Sequence, residues 1–365
     1  MKTLYTTLVL SLLVLSVMPA VLAISTGSGV TPDIQTEDFA PRVWMCDHRV
    51  VYDDATEPGR ISYDGQKLVE RINNYAFEGE QIHWLVLVMD KNKIDQNIDV
   101  YATVGSSQGE GNPIEVNCLR TDEQSEWTFE SCNARIDEEH LSFDSDTMAY
   151  FDCTLTVETP ESMYGEHWIT VEAQDGDGLK GTMDENEYWF LNPIVALSVQ
   201  GDLTFDNVRP GTDSYSDTLL VGNDADLGSG VMLDMFISGT DFYDSASSGA
   251  RCPTTNQLGL SNFRYFVTNG AYSSAGDDQV DTSGTIVRNK DSEGYVNIDY
   301  GIGFNDPTPF YNDKEILQDQ KVGPYYTANI LAPGAEMALT FKLSLPEPCN
   351  GDFDTGSIYF WGEAI

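Results

Sequence analysis

The chain has 365 residues, with 59 Asp and Glu against 19 Lys and Arg and a net charge of −40. A surface this acidic repels a phosphate backbone and an anionic bilayer, which argues against nucleic-acid binding and against attachment to acidic membranes. Hydrophobic residues make up 41% and aromatics 11%, too much apolar content for a disordered acidic chain.

In chain order, the first feature is "MKTLYTTLVLSLLVLSVMPAVLA" (1–23). A basic start at Lys2, an apolar run from Leu8 to Met18, and Val21 and Ala23 at the −3 and −1 positions predict a signal peptide cleaved after Ala23. An uncleaved anchor is the alternative; the run is short for a span and a Pro follows it. Either way the rest is exported, to the cell surface or beyond, and no second apolar run supplies a transmembrane segment. Residues 24–41, "ISTGSGVTPDIQTEDFAP", are polar and Pro-bearing and predict an extended N-terminal arm.

Beyond the arm, short apolar or alternating runs rich in Val, Ile, Tyr, Phe and Trp sit between Gly, Asp, Asn, Ser and Pro turns. In the first half these predict strands over 42–52, 67–77, 81–90, 98–105, 113–120, 148–158, 167–175 and 187–193. A helix over 64–75 is the alternative for one segment, because Leu68, Val69 and Ile72 also fit a helical period. The second half repeats the pattern over 194–211, 214–224, 231–244, 263–273, 295–304 and 335–346, and closes on "SIYFWGEAI". The expectation is an all-β protein of two tandem antiparallel β-sandwich domains, 42–193 and 194–365. Residues 244–258 and 305–325 read as long surface connections.

Cys46, Cys118, Cys132, Cys153, Cys252 and Cys349 form an even set in an exported chain, so disulfides are expected. No CxxC and no Cys/His cluster has zinc spacing. If each half closes its own bridges, Cys252 pairs with Cys349. Of the three pairings open to the first half, Cys118–Cys132 with Cys46–Cys153 is favoured, because the former brackets a short loop.

The stretches "GEQIHWLVLVMDKNKID…VYATV" and "YFDCTLTV…YGEHWITVEAQDGDG" carry Gly79, Glu80, Trp84, Asp90, Asn92, Asp95, Tyr150, Cys153, Gly165, Trp168, Asp175, Asp177 and Gly178. Over roughly residues 75–190 this order resembles the Ig-like or PKD-like β-sandwiches of secreted microbial, particularly archaeal, cell-surface proteins. "GDLTFDNVRPGTDSYSDTLLVGNDAD" resembles the opening strands of subunit domains in secreted surface and filament proteins. Both resemblances imply a β fold, and neither implies an enzyme.

In an Ig-like arrangement the loops "DKNKID" and "DGDGLKG" emerge at one end, so Asp90, Asn92, Asp95, Asp175 and Asp177 would present oxygens to one point, as calcium requires. The twelve-residue EF-hand spacing is missing, and Asp-Gly turns form without metal, so an acidic turn neutralised by Lys91, Lys93 and Lys180 competes with calcium. Asp224 and Asp226 in "VGNDADLGSG" repeat the theme. "GSSQG" (105–109) matches GxSxG around Ser107, but a turn and a strand follow where the nucleophile elbow needs a helix, so a hairpin loop is expected. His48, His83, His140 and His167 are scattered without triad spacing. Trp84, Trp168, Trp189, Phe190, Tyr359 and Trp361 read as core and sheet-face residues. No N-x-[ST] sequon occurs.

These observations point first to a non-enzymatic extracellular or cell-surface structural protein. It would assemble with itself or with other envelope proteins, need no cofactor, and be stabilised by calcium if the acidic loops converge. The arm would then add a strand to a neighbour's sheet edge. An extracellular module binding a glycan or protein through loops 244–258 and 305–325 is the alternative. A secreted hydrolase comes last.

Overall fold

The computed structural model describes residues 29–52, 73–94, 98–109, 111–121, 132, 142–183, 186–246, 249–276, 289–300, 314–322 and 325–365. The signal peptide, all but the last three residues of the helical alternative over 64–75, Asp95, His140, Asp184, Glu185 and most of loop 305–325 lie outside them. Met1–Asp38 is a separate unit, of which 29–38 are exposed and outside regular secondary structure. Phe39–Ile365 is one compact unit, and its described residues are all-β apart from short 3-10 turns and a single helical residue, Cys132.

Among the described residues, the first half forms nine strands: β1 (Arg42–Tyr52), β2 (Tyr75–Ala76), β3 (Gln81–Met89), β4 (Asp99–Gly105), β5 (Ile114–Arg120), β6 (Met148–Thr156), β7 (Gly165–Gln174), β8 (Lys180–Thr182) and β9 (Glu187–Leu191). They hydrogen-bond as one sheet in the order β1-β3-β6-β5-β4-β7-β9-β2, with β8 on β7. Two separate facing sheets, as an Ig-like sandwich has, are therefore not what this half builds. The hydrogen-bonded path runs unbroken from β1 to β2, and the sheet curls until β1 packs against β7 and β8. Gly181 permits that closure, because a Cβ there would collide with the backbone carbonyl of Pro41.

Strand alternation sorts the side chains onto two faces. The inner face gathers Met45, Ile82, Trp84, Val86, Val88, Ala102, Val104, Val116, Val171 and Ala173 into one core. Met45 and Ile82 are fully buried, each contributing about 1.5–3 kcal/mol relative to exposure. The outer face carries a second cluster over β1, β3 and β6: Trp44, Cys46, Leu85, Leu87, Met89, Met148, Tyr150 and Cys132. Beyond this cluster, over β5, β4 and β7, the outer face carries the polar Thr103, Glu115, Asn117 and Glu172 together with Tyr101 and the exposed Leu119.

The two faces explain the disulfides. Cys118 and Cys153 are opposite one another on β5 and β6 and belong to the inner core, whereas Cys46 and Cys132 belong to the outer cluster. The bridges are accordingly Cys46–Cys132 and Cys118–Cys153. The expected Cys118–Cys132 and Cys46–Cys153 would each have had to cross the sheet. Cys252 pairs with Cys349, and no cysteine is free.

The second half contains β10 (Leu197–Gln200), β11 (Asp213–Tyr215), β12 (Leu219–Asn223), β13 (Leu233–Gly239), β14 (Phe242–Tyr243), β15 (Gln257–Leu258), β16 (Phe263–Asn269), β17 (Tyr272–Ser273), β18 (Val296–Asn297), β19 (Lys314–Glu315), β20 (Lys321–Val322), β21 (Tyr325–Tyr326), β22 (Ile330–Leu331), β23 (Glu336–Ser344) and β24 (Ile358–Ala364). One sheet runs β10-β12-β23-β16-β17, with β11 on β23 and β18 on β16. The other centres on β13, flanked by β19, β22 and β24. Val221, Tyr265, Leu339 and Phe341 from the first sheet share a core with Leu233, Met235, Ile237 and Leu331 from the second.

The halves are joined by more than the chain between β9 and β10. Tyr75 of β2 is buried in the second core, and its hydroxyl donates to the Ile365 carbonyl at 2.6 Å. Asn73 Nδ2 donates to the Gly230 carbonyl at 2.7 Å. Asp226 Oδ2 accepts from the Tyr164 hydroxyl and from the Ile194 N–H, both at 3.0 Å. One of the acidic positions noted in the sequence is thus a clip between the halves.

Candidate functional site

The polar part of the outer face forms an open groove of about 1000 Å³. Its lining comes from Tyr101, Ala102 and Thr103 of β4, Glu115, Val116 and Asn117 of β5, Glu172 of β7, Lys180 of β8, and Gly111 and Asn112 of the β4–β5 loop. The volume is at the upper end of the usual range for small-molecule sites, about 300–1000 Å³.

Cross-strand register places these groups side by side. Tyr101 is opposite Asn117 on one side and Glu172 on the other; Thr103 is opposite Glu115 and Thr170. Glu172 is buried, and its Oε1 accepts from the Tyr101 hydroxyl at 3.3 Å and lies 3.8 Å from Lys180 Nζ. Lys180 Nζ also donates to the Tyr101 oxygen at 2.9 Å and sits 5.6 Å from the ring centroid. The three residues form a relay that fixes the carboxylate and the phenol. Thr103 is buried at 7% exposure, and its Oγ1 makes no hydrogen bond within the protein. Buried hydroxyls without partners are uncommon and costly.

The loop that shapes one wall of the groove is "GSSQG". Asn112 Nδ2 donates to the carbonyls of Ser107 (2.8 Å) and Gly109 (3.0 Å), and the Gly109 N–H donates to Thr170 Oγ1 at 2.9 Å. A Cβ at Gly105 would collide with the Asn112 side chain, so glycine there lets the loop fold back. Ser107 therefore sits in a β4–β5 hairpin loop, as the following strand implies, and not at a strand-to-helix elbow.

The proposed calcium ligands are placed as follows. Asp90 is buried, and its Oδ1 accepts the Asn92 N–H at 2.9 Å; Asn92 Oδ1 accepts the Phe39 N–H at 2.5 Å. Asp175 Oδ1 accepts the N–H groups of Asp177 (3.0 Å) and Leu179 (2.8 Å), closing the β7–β8 turn. Along the sheet, β6, β5 and β4 lie between β3, which Asp90 follows, and β7, which Asp175 follows. Among the described residues no group of three or more His, Cys, Asp or Glu side chains is placed to hold a metal ion. Lys180, one of the lysines that could neutralise the acidic turn, lies 3.8 Å from Glu172.

The described histidines sit on strands. His83 Nδ1 lies 3.3 Å from Asp152 and 3.1 Å from Thr154 Oγ1, and His167 Nδ1 lies 3.0 Å from the Gly165 carbonyl. Trp84 and Trp189 are core residues, whereas Tyr359 and Trp361 are 44% and 40% exposed, with ring centroids 6.2 Å apart.

Two buried charge centres lie outside the groove. Lys342 of β23 holds Glu293 (2.8 Å), Asp291 (3.0 Å) and Asp213 (3.3 Å), between the rings of Tyr215 and Tyr295. The hydrogen bond to Glu293 does most to raise the Lys342 pKa, against the opposing effect of burial. Lys342 in turn lowers Glu293; Ser344, with Lys342, lowers Asp213; Asp291 is lowered despite its burial. On β13, burial raises Asp234 to about 7, with Glu315 and Glu363 adding to the rise and Asn329 opposing it. Glu363, opposite Asp234 on β24, is also raised by burial.

No protein-family model and no curated protein matches the chain. Among solved structures, the C-terminal domain of the antigen I/II polypeptide BspA of Streptococcus agalactiae aligns at 11% identity and a TM-score of 0.30, over 89% of this chain and 96% of that one. The C-terminal domain of the antigen I/II-family protein AspA of Streptococcus pyogenes aligns at 9% and 0.28, over 89% and 96%. Scores this low carry no argument about function. What the fold and the groove define is an all-β, disulfide-bonded protein with a recessed polar surface. Among the described residues no helix is long and apolar enough to cross a membrane.

Proposed function

We propose that the chain is a non-enzymatic extracellular binding module and that the groove over β5, β4, β7 and β8 is its ligand site. The observation that carries this reading is the open groove of about 1000 Å³ with the Tyr101–Glu172–Lys180 relay in its lining. A carboxylate and a phenol held in place ahead of binding lower the ordering cost that a ligand must overcome. The three disulfides suit an oxidising, extracellular setting. The site differs from the loops 244–258 and 305–325 named on sequence grounds; it lies on a sheet face. Arrays of immobilised glycans and extracellular proteins test the reading, comparing the full chain with Tyr101→Ala. Binding that Tyr101→Ala abolishes without lowering Tm supports the groove; equal binding by both proteins contradicts it.

A second reading, a structural envelope protein that assembles through its N-terminal arm, draws on Val30 and Ile34, which are 88% and 77% exposed. Deleting residues 24–41 tests it: assembly that size-exclusion chromatography finds unchanged would discard it.

A further inference from the structure

We infer that β24 receives an added strand from a second copy of this chain, and that residues 30–35 of the second copy's N-terminal arm form it, parallel to β24. The inference deepens the second reading above, assembly through the arm, and rests on it. It supplies the surface that takes the arm and the direction in which the arm lies.

β24 pairs with β13 along its length and, among the described residues, with no strand on its other side. The Thr240 N–H donates to the Ser357 carbonyl at 2.9 Å, and the Ile365 N–H to the Met232 carbonyl at 3.0 Å. Odd-numbered residues of β24 therefore turn their backbone groups toward β13. Those of Ile358, Phe360, Gly362 and Ala364 point to the open side, where no described residue bonds them. An open edge of this kind is a template for a further strand unless proline, lysine or a bulge blunts it. "IYFWGEA" has no proline or lysine, and its register against β13 is unbroken.

The side chains leave room for the same strand. Ile358, Phe360 and Ala364 pack on the second core yet stay half-buried. A Cβ at Gly362 would lie 3.5 Å from Leu197 of β10, itself an edge strand bonded to β12. Val199, in step with Leu197 along β10, is 47% exposed. Two open edges thus meet at Gly362, with apolar side chains partly uncovered.

The arm has the matching pattern. Residues 29–38 are exposed and outside regular secondary structure. Within them "VTPDIQ" (30–35) alternates strictly, with Val30, Pro32 and Ile34 apolar and Thr31, Asp33 and Gln35 polar. As a strand, the segment would lay the first three toward the core and the last three toward solvent. Pro32 sets the direction. In an antiparallel pair, the core-facing residue opposite Phe360 would have to turn an N–H toward β24, and proline has none. In a parallel pair the core-facing residues turn away, and Thr31, Asp33 and Gln35 supply the bonds to β24. Pro32 then lies on the new outer edge, where proline is tolerated.

The test uses residues 24–365 in about 1 M NaCl, where a Debye length of about 3 Å screens repulsion between chains this acidic. Size-exclusion chromatography with light scattering should find assemblies larger than one chain. Val30→Asp with Ile34→Asp should leave monomers. Thr31→Asp with Gln35→Asp, the same change in charge on the outward face, should assemble as wild type does. Both pairs lie outside the compact unit Phe39–Ile365, so Tm should not move. Cysteine trapping locates the acceptor. Asp33→Cys, mixed with Tyr359→Cys or Trp361→Cys and oxidised, should give heterodimers in which peptide mapping joins position 33 to β24. Tyr272→Cys, 41% exposed on β17, should give none. Monomers throughout, or assembly that survives deletion of residues 24–38, would overturn both the inference and the arm reading. Arm-dependent assembly that joins position 33 to neither β24 cysteine would overturn the inference and leave the arm reading standing. Equal loss of assembly in the two Asp pairs would overturn the inference as well.

Discussion

Replacing Asp234 by Asn should make the protein more stable at neutral and alkaline pH and little different in acid. Asp234 is 4% exposed in the middle of the second sheet, its Oδ1 accepting from Asn329 Nδ2 at 2.6 Å. The carboxamide keeps both that acceptor and the volume. Burial, with Glu315 and Glu363 nearby, raises the acid from an ordinary value of 3.8 to about 7. A raised folded-state pKa means that the folded protein binds a proton which the unfolded chain has released. The stability this group contributes is therefore fully present below pH 3.8 and is lost as pH rises through about 7. At about 1.4 kcal/mol per pH unit, the interval corresponds to about 4 kcal/mol, of which about 3 is traversed between pH 4.5 and 9. Urea denaturation followed by tryptophan fluorescence at several pH values in that range measures the difference between wild type and Asp234→Asn. The gap should open from acid to neutral pH and level off above about 8. Parallel curves for the two proteins would refute the reasoning, because Asp234 would then titrate alike in the folded and unfolded states.

Three further outcomes follow from the same geometry. Peptide mapping without reduction should recover Cys46–Cys132, Cys118–Cys153 and Cys252–Cys349; removing Cys118–Cys153 by a double Ala substitution should cost about 2–4 kcal/mol in urea unfolding. Lys342→Met should lower Tm at pH 7. The deficit should shrink as pH falls through the lowered pKa values of Asp213, Asp291 and Glu293, because depressed carboxylates stabilise only above those values. Tyr75→Phe should cost about 1–2 kcal/mol, since it leaves the Ile365 carbonyl without its 2.6 Å donor.

Much of the fold is legible in the sequence because strands with one buried face announce themselves by alternation. "RVWMCDHRVVY" became β1 at its predicted limits, and "QIHWLVLVMD" and "AEMALTFKLSLP" gave β3 and β23 within a residue or two. Pairing order is a different matter. Nothing in the local pattern says that β3 lies beside β6, or that the first half closes as one curled sheet. The disulfide pairing failed for that reason: loop length favoured Cys118–Cys132, whereas the face on which each cysteine sits decides the partner. The groove was hidden in the same way. Tyr101, Thr103, Glu115, Glu172 and Lys180 are the outward members of ordinary alternating strands, spread over eighty positions, and only the register of β5, β4, β7 and β8 assembles them. A signal did exist. Thr103 and Glu172 interrupt "VYATVG" and "WITVEAQ" as polar residues that end up buried, and a buried polar residue on a sheet face needs a partner. The acidic loops drew attention by composition, yet Asp175 spends its Oδ1 on its own turn and Asp226 on joining the halves.

The account turns on the groove, and the most direct measurement is titration of the ligand that the arrays select into the full chain and into Tyr101→Ala. The account predicts binding that the variant loses at unchanged Tm. Equal binding by the two proteins would contradict it.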